Sequence, residues 1–136
     1  MGIITFLGGG KMARALIEGI KSISHEAVIQ VIEPDKRIRE NLKIDFNVTI
    51  SEENIEKQYD HLIPNSDILI LSIKPQTFRK ISKEFKNHIS NKQTIISIMA
   101  GISILTITDY INSKKIIRIM PNTPVQVKSG MSMWTS

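Results

Sequence analysis

Residues 3–20 read IITFLGGGKMARALIEGI, and this stretch decides how the rest of the chain is read. A short apolar run over residues 3–7 meets three glycines, Gly8, Gly9 and Gly10, and a segment of helical spacing begins at once. In that segment Met12, Ala15, Leu16 and Ile20 are apolar while Lys11, Arg14 and Glu18 are polar. Strand, tight turn and helix therefore follow in that order. Gly8, Gly10 and Ala13 form G-x-G-x-x-A, the dinucleotide-binding fingerprint with alanine in its third place. Gly8 permits a sharp turn out of the strand. Gly10 lacks a Cβ, so a pyrophosphate can lie against the backbone, and Ala13 lets the helix pack closely on the strand. The first helical N–H groups and the helix dipole then face the phosphate charge. The expected contact stretch runs through Leu7, Gly8, Gly9, Gly10, Lys11, Met12 and Ala13.

Composition bounds the rest. At 136 residues, with 41% hydrophobic and 23% charged residues, the chain has the make-up of one globular domain. No run approaches the roughly 18 to 20 apolar residues that span a bilayer. The N-terminus carries neither a basic leader nor a cleavage site, so no signal peptide is expected. Without cysteine there is no disulfide or thiol chemistry, which fits a cytoplasmic protein. The net charge of +5 and pI near 9.6 invite a nucleic-acid reading. Against it, the cations are scattered, aromatics make up only 5%, and no basic tract appears. Neither nucleic acid nor membrane is expected as a partner, and the surplus charge reads as a solvated surface with some attraction for anionic cofactors.

Further strands are expected over residues 27–32, 48–50, 68–73, 94–99 and 115–120, with one or two more in the tail after Pro121. Helices are expected after Asp35 (through Ile38 and Leu42), after an N-cap at Ser51, over Phe78, Ile81 and Phe85, and over residues 105–110. Residues 60–67 read as a loop, with Asp60 and Asp67 as caps. The run ILILSI at 68–73 is continuously apolar up to Ser72, as in a strand buried on both faces of a parallel sheet. Alternating strands and helices predict an α/β, Rossmann-like fold: a mostly parallel, doubly wound sheet with helices on both faces.

In such sheets ligands bind outside the carboxyl ends of the strands. That edge gathers the turns at residues 8–12, 33–37, 72–76, 100–101 and 121–124. Glu33 stands 23 residues after Gly10 (33 − 10), where a carboxylate takes the adenosine ribose hydroxyls and repels a 2′-phosphate. Lys36 and Arg37 follow and pull the other way, by pairing with such a phosphate, or are simply exposed charges of a first helical turn. His25, His61 and His88 are widely separated, and no pair has metal-ligand spacing, so no metal is expected. No residue is singled out as catalytic.

The chain resembles the N-terminal domain of pyrroline-5-carboxylate reductase along its whole length. FLGGGKMA at 6–13 is similar to that family's glycine loop, SIKPQ at 72–76 to its Val-Lys-Pro-Gln turn, and ISIMAGI at 96–102 to its Ser-x-Ala-Ala-Gly segment. RIMPNTPV at 118–125, with Gly130 after it, is the most diagnostic piece. The resemblance implies hydride transfer from NAD(P)H to the C=N carbon of 1-pyrroline-5-carboxylate, giving L-proline. It also implies that Asn54 sits near the adenosine, and that Ser72, Ile73, Lys74 and Pro75 pass on the nicotinamide side. Ala100, Gly101, Asn122 and Thr123 would approach the nicotinamide itself.

Two departures stand out. Family members that prefer NADPH carry a small hydroxyl residue where Glu33 stands, so Glu33 leans the expectation toward NADH. The family also has a second, all-helical domain that dimerises and holds most of the imino-acid-binding residues, and this sequence stops before it. Residues 1–136 are thus expected to be the dinucleotide-binding domain of an enzyme that is a homo-oligomer when complete. Alone they are expected to bind dinucleotide and turn over poorly or not at all. The other readings are a Rossmann domain of a different dehydrogenase, which would lack the 120–124 segment, and a non-catalytic nucleotide-binding module.

Overall fold

The computed structural model describes residues 2–120 and 133–135. β1 (Ile3–Leu7) leads through the glycines into α1 (Lys11–Ile23), β2 (Val28–Ile32) and α2 (Lys36–Phe46). α3 (Ile55–Leu62), β3 (Ile68–Leu71), α4 (Pro75–Phe85), β4 (Thr94–Ser97), α5 (Ile104–Ile111), β5 (Ile116–Met120) and β6 (Met133–Thr135) complete the order. The strands of the described residues line up β2-β1-β3-β4-β5-β6, parallel up to β5, with β6 antiparallel to β5. This is the expected doubly wound α/β sheet. After β2 the chain crosses back over β1 to place β3 on its other side. The switch point therefore lies between the carboxyl ends of β1 and β3.

Side chains alternate along β1 to β5, and both faces are covered. Phe6, Ile29, Val31 and Ile70 pack under Ala13 and Ile17 of α1 and Leu42 of α2. Leu7, Ile32, Leu69, Leu71 and Ile95 point the other way, under α3, α4 and α5. Burial on both faces is why the strands read as unbroken apolar runs. On the second face Phe78 lies between Phe85 and Tyr110, with ring centroids 6.2 and 5.5 Å away.

Several polar groups enter that second face in partnership. Gln30 donates to Thr5 Oγ1 at 2.8 Å and to the Leu62 carbonyl at 3.1 Å, and Thr5 bonds the Ser66 hydroxyl. Gln93 donates to the carbonyls of Ile63 and Ser66 at 2.6 and 2.8 Å. These bonds fasten the α3–β3 connection onto the sheet, since a buried donor or acceptor left unpaired is costly.

Several expected boundaries move. Residues 48–50 form no full strand: Thr49 makes a single parallel bridge to Gln30, because both its N–H and its carbonyl are spent on β2. Ser51 does not cap a helix; its hydroxyl accepts from Glu53 N–H at 3.2 Å, and Asn54 caps α3 by accepting from Lys57 N–H. Asp60 belongs to α3 rather than to a loop and pairs with His88 at 3.2 Å, while Asp67 accepts from Ile3 N–H at 2.7 Å. β3 and β4 end at Leu71 and Ser97, two residues earlier than expected.

Phe78→Ala removes a fully buried ring from the centre of the aromatic cluster. It is expected to lower unfolding free energy by about 3–5 kcal/mol, read from the urea midpoint at unchanged slope.

Candidate functional site

At the switch point the turn after β1 is fastened on both sides. Gly8 N–H donates to the Ile32 carbonyl at 2.9 Å, and Ser72 N–H donates to Leu7 O at 3.0 Å. The Ser72 hydroxyl lies 3.0 Å from Leu7 O and 2.9 Å from Gly8 O, sharing its one proton between them. Gly8 has φ +105°, a conformation open to glycine. A Cβ there would stand 2.8 Å from Ile73 Cγ2 and 2.9 Å from the Ser72 carbonyl oxygen. At Gly10 a Cβ would meet nothing within 4 Å, and the residue is exposed.

These turns border a cavity of about 510 Å³, within the range of roughly 300–1,000 Å³ usual for small-molecule sites. One end is the backbone of Gly8, Gly9 and Gly10 together with Ser72, Ile73 and Lys74. Its walls are Leu7, Ile32 and Pro34, Ile55 and Tyr59 from α3, and Thr77, Ile81 and Glu84 from α4. Among the α-helices of the described residues, α2, α3 and α5 are capped by the side chains of Asp35, Asn54 and Ser103. α1 and α4 have no side-chain cap, and their N-cap residues, Gly10 and Lys74, both line the cavity. No side-chain cap therefore competes with a ligand at these two helix starts.

Glu33 closes the rim beside the glycines. Its Oε1 accepts from Gly9 N–H at 2.9 Å and its Oε2 from Asp35 N–H at 3.0 Å. Opposite it, Tyr59 is 3% exposed. Burial, helped by the carboxylates of Glu84 and Glu56, pushes its phenol from 10.0 up to about 12. The wall therefore carries a neutral hydroxyl throughout the physiological range.

Of the residues singled out from sequence, Leu7, Gly8, Gly9, Gly10, Glu33, Ser72, Ile73 and Lys74 meet at this one cavity. Others do not. Lys11 lines a smaller hollow on the far side of the glycine turn with Arg14, Asn41 and Leu42. Ala13 is buried in the core under α1, and Met12 is half-buried outside the cavity lining. Lys36 and Arg37 are exposed and off the lining, with Lys36 3.9 Å from Glu40. The Asn54 side chain is taken up as the α3 cap. Pro75 opens α4, and Ala100 and Gly101 form an exposed turn. Asn122 and Thr123 lie outside the described residues. Sequence reasoning missed Ile32, Ile55, Tyr59, Thr77, Ile81 and Glu84, and reached Pro34 only as part of the 33–37 turn. A signal was present on α4: Thr77, Ile81 and Glu84 share one face at i, i+4 and i+7, but Ile81 read as core beside Phe78 and Phe85.

Among the described residues no three His, Cys, Asp or Glu side chains gather as a metal site, and no helix is long and apolar enough to cross a membrane. His61 pairs with Glu53 at 2.7 Å.

The sequence model of the family "NADP oxidoreductase coenzyme F420-dependent" matches residues 3–101. The pyrroline-5-carboxylate reductase of Vibrio alginolyticus is 32% identical over 131 residues, covering 95% of this chain and 46% of that protein. A solved pyrroline-5-carboxylate reductase from Coxiella burnetii superposes with TM-score 0.81 at 28% identity, covering 93% of this chain and 46% of the other. The Plasmodium falciparum pyrroline carboxylate reductase, solved with NADP bound, shares the fold with TM-score 0.73 at 24% identity, over 93% of this chain and 45% of its own. The chain spans about half the length of the relatives it matches.

Two outcomes follow from the geometry. Gly8→Ala combines a positive φ with two contacts under 3 Å and is expected to cost about 2–4 kcal/mol of stability, whereas Gly10→Ala, with open space at its Cβ, is expected to melt like the wild type. Because the folded chain keeps the Tyr59 proton after the unfolded chain has lost it, this contribution to stability is complete below pH 10 and lost as pH rises through about 12. Urea midpoints measured across that window are expected to fall further for the wild type than for Tyr59→Phe.

Proposed function

Because the chain belongs to the NADP oxidoreductase, coenzyme F420-dependent family, we propose that it is the nicotinamide-dinucleotide-binding part of a reductase of L-proline biosynthesis. The whole enzyme reduces 1-pyrroline-5-carboxylate: hydride from NAD(P)H goes to the C=N carbon, the nitrogen gains a proton, and L-proline and NAD(P)+ are released. The observation that carries the reading is the meeting of two uncapped helix N-termini at one cavity, with the Glu33 carboxylate on its rim. Uncapped N–H groups and a Cβ-free turn suit a pyrophosphate, the apolar walls suit a base, and a carboxylate suits ribose hydroxyls. The relatives named above support the imine as substrate.

In this reading residues 8–12 hold the pyrophosphate, and Ser72, Ile73, Lys74 and Pro75 run toward the nicotinamide with Ala100, Gly101, Asn122 and Thr123. Asn54 serves the adenosine side indirectly, by capping the helix that presents Ile55 and Tyr59. When bound, the dinucleotide supplies the hydride; this chain orients it and keeps water from it. A helical domain beyond residue 136 completes the imino-acid site and pairs the subunits into a homo-oligomer, in a cytoplasmic setting that a cysteine-free chain fits.

For the nucleotide we favour NADH. Both carboxylate oxygens of Glu33 are held at the rim, while Lys36 and Arg37 stand off the lining. A fixed negative charge there opposes a 2′-phosphate.

Oxidation of NADH and NADPH by this 136-residue chain, with and without 1-pyrroline-5-carboxylate, tests the reading together with nicotinamide fluorescence for binding. Saturable binding without substrate-dependent turnover is expected, and Gly10→Ala is expected to weaken it at unchanged stability. Absence of binding to either nucleotide would refute the assignment. Brisk proline formation would refute the need for a further domain.

A further inference from the structure

Arg39 and Gln58 do not line the cavity, yet they are 6% and 1% exposed, a rare degree of burial for such side chains. Each sends a hydrogen bond or more to the turn that carries Glu33. Gln58 Oε1 accepts from Glu33 N–H at 3.0 Å, and its Nε2 donates to the Glu53 carbonyl at 3.0 Å. Arg39 Nη1 donates to the carbonyls of Glu33 and Pro34, each at 2.9 Å, and its Nη2 lies 3.5 Å from Glu52 Oε2. Its Nε is buried with no partner. A desolvated guanidinium with an unpaired N–H is costly to place, so the fold keeps this one at some expense. Its return is a turn gripped at two successive carbonyls.

We propose that Arg39 and Gln58 are positioning residues for nucleotide discrimination: by gripping the main chain of Glu33 and Pro34 they hold the Glu33 carboxylate at the ribose, where it excludes a 2′-phosphate. The proposal rests on the dinucleotide reading of this cavity. A carboxylate on a loose turn would swing away from an incoming phosphate and discriminate weakly. Here the main chain is held at Glu33 N, Glu33 O and Pro34 O, and the carboxylate at both oxygens by Gly9 and Asp35. The charge cannot retreat, so a 2′-phosphate meets it in full, while ribose hydroxyls find an acceptor already ordered. Arginine is required because Nη1 donates to both carbonyls while Nη2 stays beside Glu52, two places that the single ammonium of a lysine, a point charge on a flexible stem, cannot occupy together.

The test measures NADH and NADPH affinity by nicotinamide fluorescence for the wild type, Arg39→Lys, Glu33→Ser and the double variant. Arg39→Lys is expected to lower the NADH-over-NADPH preference roughly tenfold with the circular-dichroism spectrum unchanged. In the Glu33→Ser background the same change is expected to have no further effect, since its action runs through Glu33. An unmoved ratio in Arg39→Lys, an equal shift in both backgrounds, or a wild type that prefers NADPH overturns the proposal and leaves dinucleotide binding standing. A chain that binds neither nucleotide overturns the underlying reading instead. Should Arg39→Lys not fold, hydrogen exchange of the wild type decides. Gly9 and Asp35 amides protected in the wild type and released in Glu33→Ser support a held carboxylate, and unprotected exchange in the wild type overturns it.

Discussion

Everything at the carboxyl edge of this sheet depends on how one short turn is tied down. The peptide between Leu7 and Gly8 bonds to both neighbours of β1: Gly8 N–H to the end of β2, and the Leu7 and Gly8 carbonyls to Ser72 after β3. The turn runs so close to Ser72 and Ile73 that no Cβ fits at Gly8. Because β1 lies between β2 and β3, which come from the two sides of the crossover, these bonds bring the two sides to one point. The cavity, the open N-terminus of α1 and the Glu33 rim all follow from it.

The second face of the sheet gives this arrangement its rigidity. Helices α3 and α4 contribute Tyr59, Phe78 and Phe85 to one aromatic cluster of tilted rings in the core, and Tyr59 also lines the cavity. The same two helices supply the cavity's walls, so packing and site share residues on adjacent helical turns. The buried amides work likewise: Gln30 and Gln93 tie the α3–β3 connection to the sheet, and Gln58, one turn into α3, reaches across to Glu33. α3 is thus coupled to the Glu33 rim through hydrogen bonds, and its position is set by the core.

The strands and the glycine turn were legible in the sequence because each has a local cause. Burial on both faces leaves long apolar runs such as 68–73, and the need for a positive φ leaves a glycine at position 8. Glu33 was legible too, through its distance from Gly10. Less legible was where strands stop: Ser72 and Ile73 continue an apolar pattern but turn away to meet the glycine loop. Thr49 has strand chemistry, yet only one bridge forms before the chain leaves for α3. Ser51 and Asn54 are both capable N-caps, and the choice between them depends on where β2 lets α3 begin.

By itself the sequence determined the α/β class, the strand–glycine–helix unit and the charge placed at the end of β2, because periodicity, chain stiffness and residue size act over a few neighbours. Only the tertiary structure decided which turns share a cavity. It drew in Ile55, Tyr59, Thr77, Ile81 and Glu84, left Lys36, Arg37, Ala100 and Gly101 off the lining, and set Arg39 and Gln58 behind the rim. These are relations between segments distant along the chain. They are settled by which helix faces the sheet can bury and which buried polar groups it can pair, and no local pattern records that.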